Sequence, residues 1–176
     1  MTERARSPVA GQSGFTLLEV KVVVVIIATL TGLVLISIGG EGSRDRELRR
    51  EADRFATVLR MAGEDAVLRG LELGLRIDRH SYDFLVLEPD AWVSWSGDSR
   101  ALQPHQMPSD FEMDVQVEGL PVELGDEEGD QPHIVVLSSG ELTPFEVRFG
   151  VLGEAPVLLV EGERAGQIEV RRINER

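Results

Sequence analysis

Apolar and polar positions follow three different rhythms along this chain. From Gly14 to Ile38 the residues are almost continuously apolar, and only Glu19 and Lys21 interrupt them with charge. Val22 to Ile38 holds no charged residue and makes about 26 Å of helix, or about 36 Å when counted from Phe15, against a hydrocarbon core of about 30 Å. That length predicts a transmembrane helix over residues 15–38. Gly39, Gly40 and Gly42 follow, and their weak helix propensity predicts a hinge. From Leu48 the rhythm changes. Apolar or small residues recur at Ala52, Phe55, Ala56, Leu59, Ala62 and Ala66, the three-and-four spacing of a helix with one buried face. Arg49, Arg50, Asp53, Arg54, Arg60 and Glu64 fall on the other face, with Asp45 placed to support Arg49. Gly70 is the predicted stop.

Beyond Leu71 the period falls to two. Leu71–Ile77, Tyr82–Leu87, Ala91–Trp95, Phe111–Val117, His133–Leu137, Phe145–Val151, Val157–Val160 and Gln167–Ile173 read as short strands with Gly and Pro between them. One leading helix followed by many strands predicts an α+β fold, with an antiparallel sheet, or two sheets, laid against the amphipathic helix. Residues 39–70 are then hinge and amphipathic helix, and 71–176 a β-rich globular domain. No internal repeat is visible. Two connections are long, Ser96–Asp110 and Gly119–Pro132.

Charge narrows the partners. The chain carries a formal net charge of −13, and so acidic a domain repels nucleic acid phosphates. It has no cysteine, so disulfides and thiolate metal sites are unavailable. A periplasmic domain with a sufficient core does without disulfides, so this does not fix the compartment. Arg4 and Arg6 ahead of the apolar run favour a cytoplasmic leader and an exported carboxyl end.

Glu19 is the most informative residue. A carboxylate in a membrane span costs about 2.5–3.5 kcal/mol on insertion scales, so it asks for a cation. Lys21 is two residues away and faces elsewhere on a helix, so its expected fate is to snorkel toward the cytoplasmic interface. The segment Gly14-Phe15-Thr16-Leu17-Leu18-Glu19 matches the processing motif of type IV pilin-like proteins. The layout of apolar helix, amphipathic helix and strand-rich domain matches them too. Leu137-Ser138-Ser139-Gly140-Glu141-Leu142-Thr143-Pro144-Phe145 is similar to a segment that one subfamily carries late in the chain. On these residues the chain resembles the minor pseudopilins of the H type from bacterial type II secretion systems.

The resemblance implies a leader, residues 1–14, cut after Gly14 by a prepilin peptidase that also methylates the new amino terminus on Phe15. Glu19 lies four residues after Phe15, on the same helical face as that amine. The resemblance gives Glu19 the role of pairing with a neighbour's amine and setting subunit register. It implies a single-pass inner-membrane protein with a periplasmic domain. The expected partners are the other minor pseudopilins, the major pseudopilin, the peptidase, the inner-membrane assembly platform and membrane lipid. The function implied is that of a pseudopilus subunit in the export of folded proteins across the outer membrane, with no catalysis and no cofactor of its own. Which exoproteins are carried, and the order of subunits, are not written in the sequence.

Two other readings use the same residues. The processing motif also suits a minor pilin of a type IV pilus, and the late segment favours secretion over it. Conventional cleavage after Gly39 would instead release Gly40 to Arg176 as a soluble product, and the apolar run is longer than such signals use; the reading from another class is a signal-anchored periplasmic enzyme or binding module. Catalytic chemistry finds little support. His80, His105 and His133 show no metal-ligand spacing, and Ser138-Ser139-Gly140 is not a nucleophile elbow. Ser139 reads as a turn residue and Glu141 as a solvated one. Asp126-Glu127-Glu128-Gly129-Asp130 has the oxygen-rich character of a calcium loop but not the EF-hand spacing, so a solvated acidic loop is expected and no metal site is assigned. Trp92 and Trp95 lie three apart, which in a strand sends them to opposite faces, one into the core.

Overall fold

The structure, a computed structural model, describes residues 17–125 and 131–173, with the side chains of residues 30–41 outside the description. It is a helix followed by ten strands. Helix α1 runs over Leu17–Arg69. Strands β1 (Leu73–Ile77), β2 (Ser81–Leu87), β3 (Trp92–Ser94), β4 (His105–Gln106) and β7 (Ile134–Val136) form one sheet, β4 pairing with β2. Strands β5 (Phe111–Val117), β6 (Leu120–Val122), β8 (Phe145–Val151), β9 (Leu158–Gly162) and β10 (Ile168–Arg172) form the other in the order β10-β9-β8-β5-β6. Every strand pairing is antiparallel. The fold is α+β with two sheets.

The chain separates into two compact units, residues 1–43 and 44–176. In the first, α1 begins at Leu17 and its residues to Thr29 are exposed. Among the described residues no helix is long and apolar enough to cross a membrane; the span expected over 15–38 falls partly outside them. The helix assignment continues through Gly39, Gly40 and Gly42 without interruption, where the sequence predicted a hinge between two helices. Glycine costs a helix about 1 kcal/mol without breaking its hydrogen bonds.

In the second unit the predicted stripe is the buried face. Leu48, Ala52, Phe55, Ala56, Leu59, Ala62 and Ala66 are all fully buried. Small residues at Ala52, Ala56, Ala62 and Ala66 leave room for the larger ones between them. Phe55 uses that room. Its ring meets Tyr82 of the first sheet edge-on at 5.3 Å and, from the second sheet, Phe149 at 5.6 Å and Phe145 at 6.3 Å, both in tilted or edge-on geometry. Each such pair adds about 0.5–1.5 kcal/mol beyond the area it buries.

The helix ends as the sequence requires. Arg69 is its last residue, Gly70 adopts a φ of 66°, and the Leu71 amide donates to the Ala66 carbonyl. Only the residue without a Cβ takes that left-handed conformation cheaply. Asp45, expected to support Arg49, instead pairs with Arg172 of β10, while Arg49 reaches Asp53 at 3.7 Å. A contact 127 residues distant outcompetes the local one because β10 lies beside the start of the buried stripe.

The strand predictions hold for the longer elements, with ends displaced by one or two residues. Both long connections carry structure the alternation did not reveal. Ser96–Asp110 contains a 3-10 turn, Arg100–Leu102, and strand β4, and it buries Leu102 and Met107. Gly119–Pro132 opens with β6, which a two-residue turn joins to β5. Glu118 and Gly119 both have positive φ, 51° and 82°, the requirement of a type I′ hairpin. Trp95 is the tryptophan that enters the core, with the Arg69 guanidinium 5.9 Å from its ring centre. Trp92 is half-buried and packs over Gly74, where an added Cβ would lie 3.0 Å from its ring.

Tyr82 gives the core a pH limit. Its hydroxyl is buried with no partner in full hydrogen-bonding geometry, and the Arg54 guanidinium stands close by. Burial pushes its pKa from 10.0 up to about 12; the nearby Arg54 opposes the rise and Glu51 adds to it. The folded state therefore favours the neutral phenol. This contribution is whole below pH 10 and is lost as pH rises toward 12, reaching about 3 kcal/mol in all. Tyr82→Phe is expected to abolish this alkaline loss and to match or exceed the parent at pH 7 by about 1 kcal/mol. Urea unfolding midpoints at pH 7 and pH 11 check both, and a variant that is weaker at pH 7 refutes the orphaned hydroxyl.

Candidate functional site

The sequence singled out two places, the head of the apolar helix and the late motif. At the head, Gly14 and Phe15 lie outside the described residues. Glu19 sits in the first turn of α1 and is exposed within its own unit, as is Lys21. The acidic segment Asp126–Asp130 also lies outside the described residues. Among those that are described, no group of His, Asp and Glu could hold a metal ion.

The late motif is a seam. Val136 closes β7 in the first sheet, and Phe145 opens β8 in the second. Between them the chain turns tightly. The Gly140 amide donates to the Leu137 carbonyl and the Leu137 amide to the Glu141 carbonyl, with Gly140 at a φ of 88°. Leu142 then bridges back to Val136. The Thr143 amide donates to the Val135 carbonyl, and the Val135 amide to the Thr143 hydroxyl. Pro144, which lacks a donor, accepts from the Glu118 amide with its carbonyl. The Leu142 amide donates to the Arg164 carbonyl in the turn between β9 and β10. Nine residues thus leave one sheet, enter the other and bond to both.

Glu72, just past the helix, holds the seam from below. Its carboxylate accepts from the Ser138 hydroxyl at 2.8 Å and from the Ser138 amide at 3.3 Å. Ser139 is the turn residue the sequence suggested: its hydroxyl oxygen accepts from the Glu141 amide at 3.4 Å, and Glu141 is exposed.

The three histidines do different structural work. His80 donates from Nδ1 to the Phe111 carbonyl at 2.7 Å, tying the turn after β1 to β5. His105 Nε2 meets the Glu51 carboxylate at 2.7 Å, fastening β4 to α1. His133 accepts the Ile77 amide on Nδ1 at 2.9 Å, ahead of β7. These ties were invisible in the sequence because each joins residues at least 31 apart.

Beside the seam lies an open groove of about 580 Å³, walled by Leu59 and Val67 of α1, Leu142 of the motif and Ile168 of β10. Val67 and Leu68 are exposed at its rim. Arg60 and Glu64 also line it, so the groove can hold an apolar side chain with a polar group beside it. The motif's glycine shapes it: a Cβ on Gly166, across the groove, would stand 2.8 Å from the Gly140 carbonyl oxygen.

Comparison with known proteins gives a consistent outcome. The family model described as type II transport protein GspH matches residues 51–170. Type II secretion system protein H of Pseudomonas aeruginosa is 38% identical over 170 residues, covering 90% of this chain and 96% of that protein. The protein of the same name from Aeromonas hydrophila is 34% identical over 145 residues, covering 76% and 78% respectively. Among solved structures, the minor pseudopilin EpsH of the type 2 secretion system of Vibrio cholerae superposes with a TM-score of 0.64 at 27% identity, covering 74% of this chain and 99% of that one.

Two glycines with the same backbone handedness separate conformational cost from contact cost. Gly119 has open space where its Cβ would go, whereas Gly166 does not. Gly119→Ala is expected to cost about 1–2 kcal/mol from the left-handed φ alone. Gly166→Ala adds a clash with backbone and is expected to cost at least about 1 kcal/mol more. Equal denaturant midpoints for the two variants would show the seam to be loose.

Proposed function

The chain belongs to the family of the type II transport protein GspH, and from that premise we propose how it enters and works in the pseudopilus. It is a minor pseudopilin of the type II secretion system, which exports folded proteins across the outer membrane. Its role is to be a subunit; the described site has the features of a joint between sheets.

In our reading the chain inserts with its amino end in the cytoplasm and residues 15–38 across the inner membrane, leaving residues 71–176 in the periplasm. Prepilin peptidase cuts between Gly14 and Phe15 and methylates Phe15. Cutting creates a positive amine one helical turn before Glu19. Burying the carboxylate alone costs about 2.5–3.5 kcal/mol. Two unit charges 4 Å apart attract by about 4 kcal/mol at an intermediate dielectric, enough to offset that cost. Before assembly Glu19 meets its own amine; in the assembled pseudopilus it meets that of a neighbour, which sets register. The partners are the other minor pseudopilins, the major pseudopilin and the inner-membrane platform. The observation that carries this reading is the placement of Glu19, the last residue of the processing motif, in the first turn of α1.

Two outcomes follow for the full chain expressed with its peptidase. Intact mass and amino-terminal sequencing of membrane-extracted protein are expected to give a start at N-methylated Phe15, and Gly14→Val to leave the uncut precursor; a start at Gly40 would refute the processing route. Glu19→Ala is expected to be cut and inserted normally yet to be lost from co-purification with the other pseudopilins. Recruitment at the parental level would remove the register role from Glu19.

A further inference from the structure

Charge along the chain is strongly segregated. From residue 61 onward 24 carboxylates face nine arginines, whereas residues 44–60 hold six arginines against four carboxylates. Part of that basic segment forms a groove of about 520 Å³ with the connection between β3 and β4. Arg50 and Arg54 of α1 stand on one side and Arg100 of the 3-10 turn on the other, over Val58 and Ala101.

Arg54 also stands beside the Tyr82 hydroxyl, and none of the three is held in a direct ion pair among the described residues. Arg76, Arg148 and Arg172 each have a carboxylate partner, but Arg50, Arg54 and Arg100 have no salt bridge within 4.0 Å among the described residues. Asp53, the carboxylate lining the same groove, is engaged by Arg49 at 3.7 Å. Glu51 is held by His105. Arg50 and Arg54 are four apart on one helix, a like-charge spacing that costs the helix a few tenths of a kcal/mol. The fold tolerates a third cation opposite them. Three guanidinium forks beside an apolar floor form a receptor for paired carboxylates, since each fork matches a carboxylate in two parallel hydrogen bonds and the floor excludes water from one side.

We propose that this groove is a docking site for a carboxylate-rich segment of a partner protein. The occupant is a peptide stretch bearing adjacent Asp or Glu residues with an apolar residue beside them, which Val58 and Ala101 receive. A neighbour as acidic as this chain is beyond residue 60 carries such stretches. The proposal goes beyond the assembly reading and does not depend on processing or on Glu19.

The test is a titration of the full chain, in non-ionic detergent, with a fluorescent hexaglutamate peptide and with hexalysine. Hexaglutamate is expected to bind saturably, more weakly as salt is raised, and hexalysine not to bind. The double variant Arg50→Gln, Arg100→Gln is expected to weaken hexaglutamate binding by about tenfold or more. Arg164→Gln, in the turn between β9 and β10 and paired with Glu118, is expected to leave it unchanged. If circular dichroism shows the double variant to be misfolded, Arg100→Gln alone, outside the helix, is read by the same measure and is expected to lose about threefold. Binding unchanged within twofold in the variants, or no binding of hexaglutamate, overturns the proposal. So does preferential binding to phosphatidylglycerol vesicles that the same variants abolish, which would make the groove a lipid headgroup site.

Discussion

Phe55 is the one residue whose ring touches both sheets from the helix. Tyr82 stands on one side of it, Phe145 and Phe149 on the other, and no other ring contact among the described aromatic pairs joins the two sheets. An antiparallel sheet with one apolar face must bury that face, and here two sheets share a single helical stripe. The stripe is narrow because Ala52, Ala56, Ala62 and Ala66 make up most of it, so the sheets approach the helix backbone closely and the phenyl ring fills what space remains. Everything peripheral is arranged around this constraint: the seam, the histidine ties and the Asp45–Arg172 pair all hold segments at the edges of a core that Phe55 centres.

That arrangement gives the late motif its structural role. A chain that passes from one sheet to the other has to satisfy backbone groups belonging to two ladders at once. Glycine supplies the positive φ, threonine and serine supply short side-chain oxygens for orphan amides, and proline supplies a carbonyl without an unwanted donor. The same residue types would suggest a turn or a nucleophile in isolation. Their partners, Glu72 and Glu118 among them, decide in favour of a joint.

What the sequence revealed, and what it concealed, divides by range. The helical stripe from Leu48 to Ala66 and eight of the ten described strands were legible because burial imposes a period on neighbouring residues. Gly70 was legible as a stop because a cap is a local device. Strand β6 was overlooked although Glu118-Gly119 is a credible hairpin turn, since Pro121 argues against a strand. Strand β4 and Leu102 were hidden for a different reason: two residues and a single turn have no period to read. Asp45 was assigned to Arg49 by spacing, and the tertiary partner Arg172 won. Of the candidate site, the head was legible as a motif, and the seam was legible only as a resemblance until Val135, Arg164 and Glu118 appeared around it.

Pro121 has one more consequence. It lies on β6, the outermost strand of the second sheet, and the missing amide leaves a gap in the row of donors that an unpaired edge presents. A foreign polypeptide trying to extend that ladder finds the row interrupted after one residue. This single imino acid thus guards an exposed margin against edge-to-edge pairing, leaving side-chain contacts to choose the company the protein keeps.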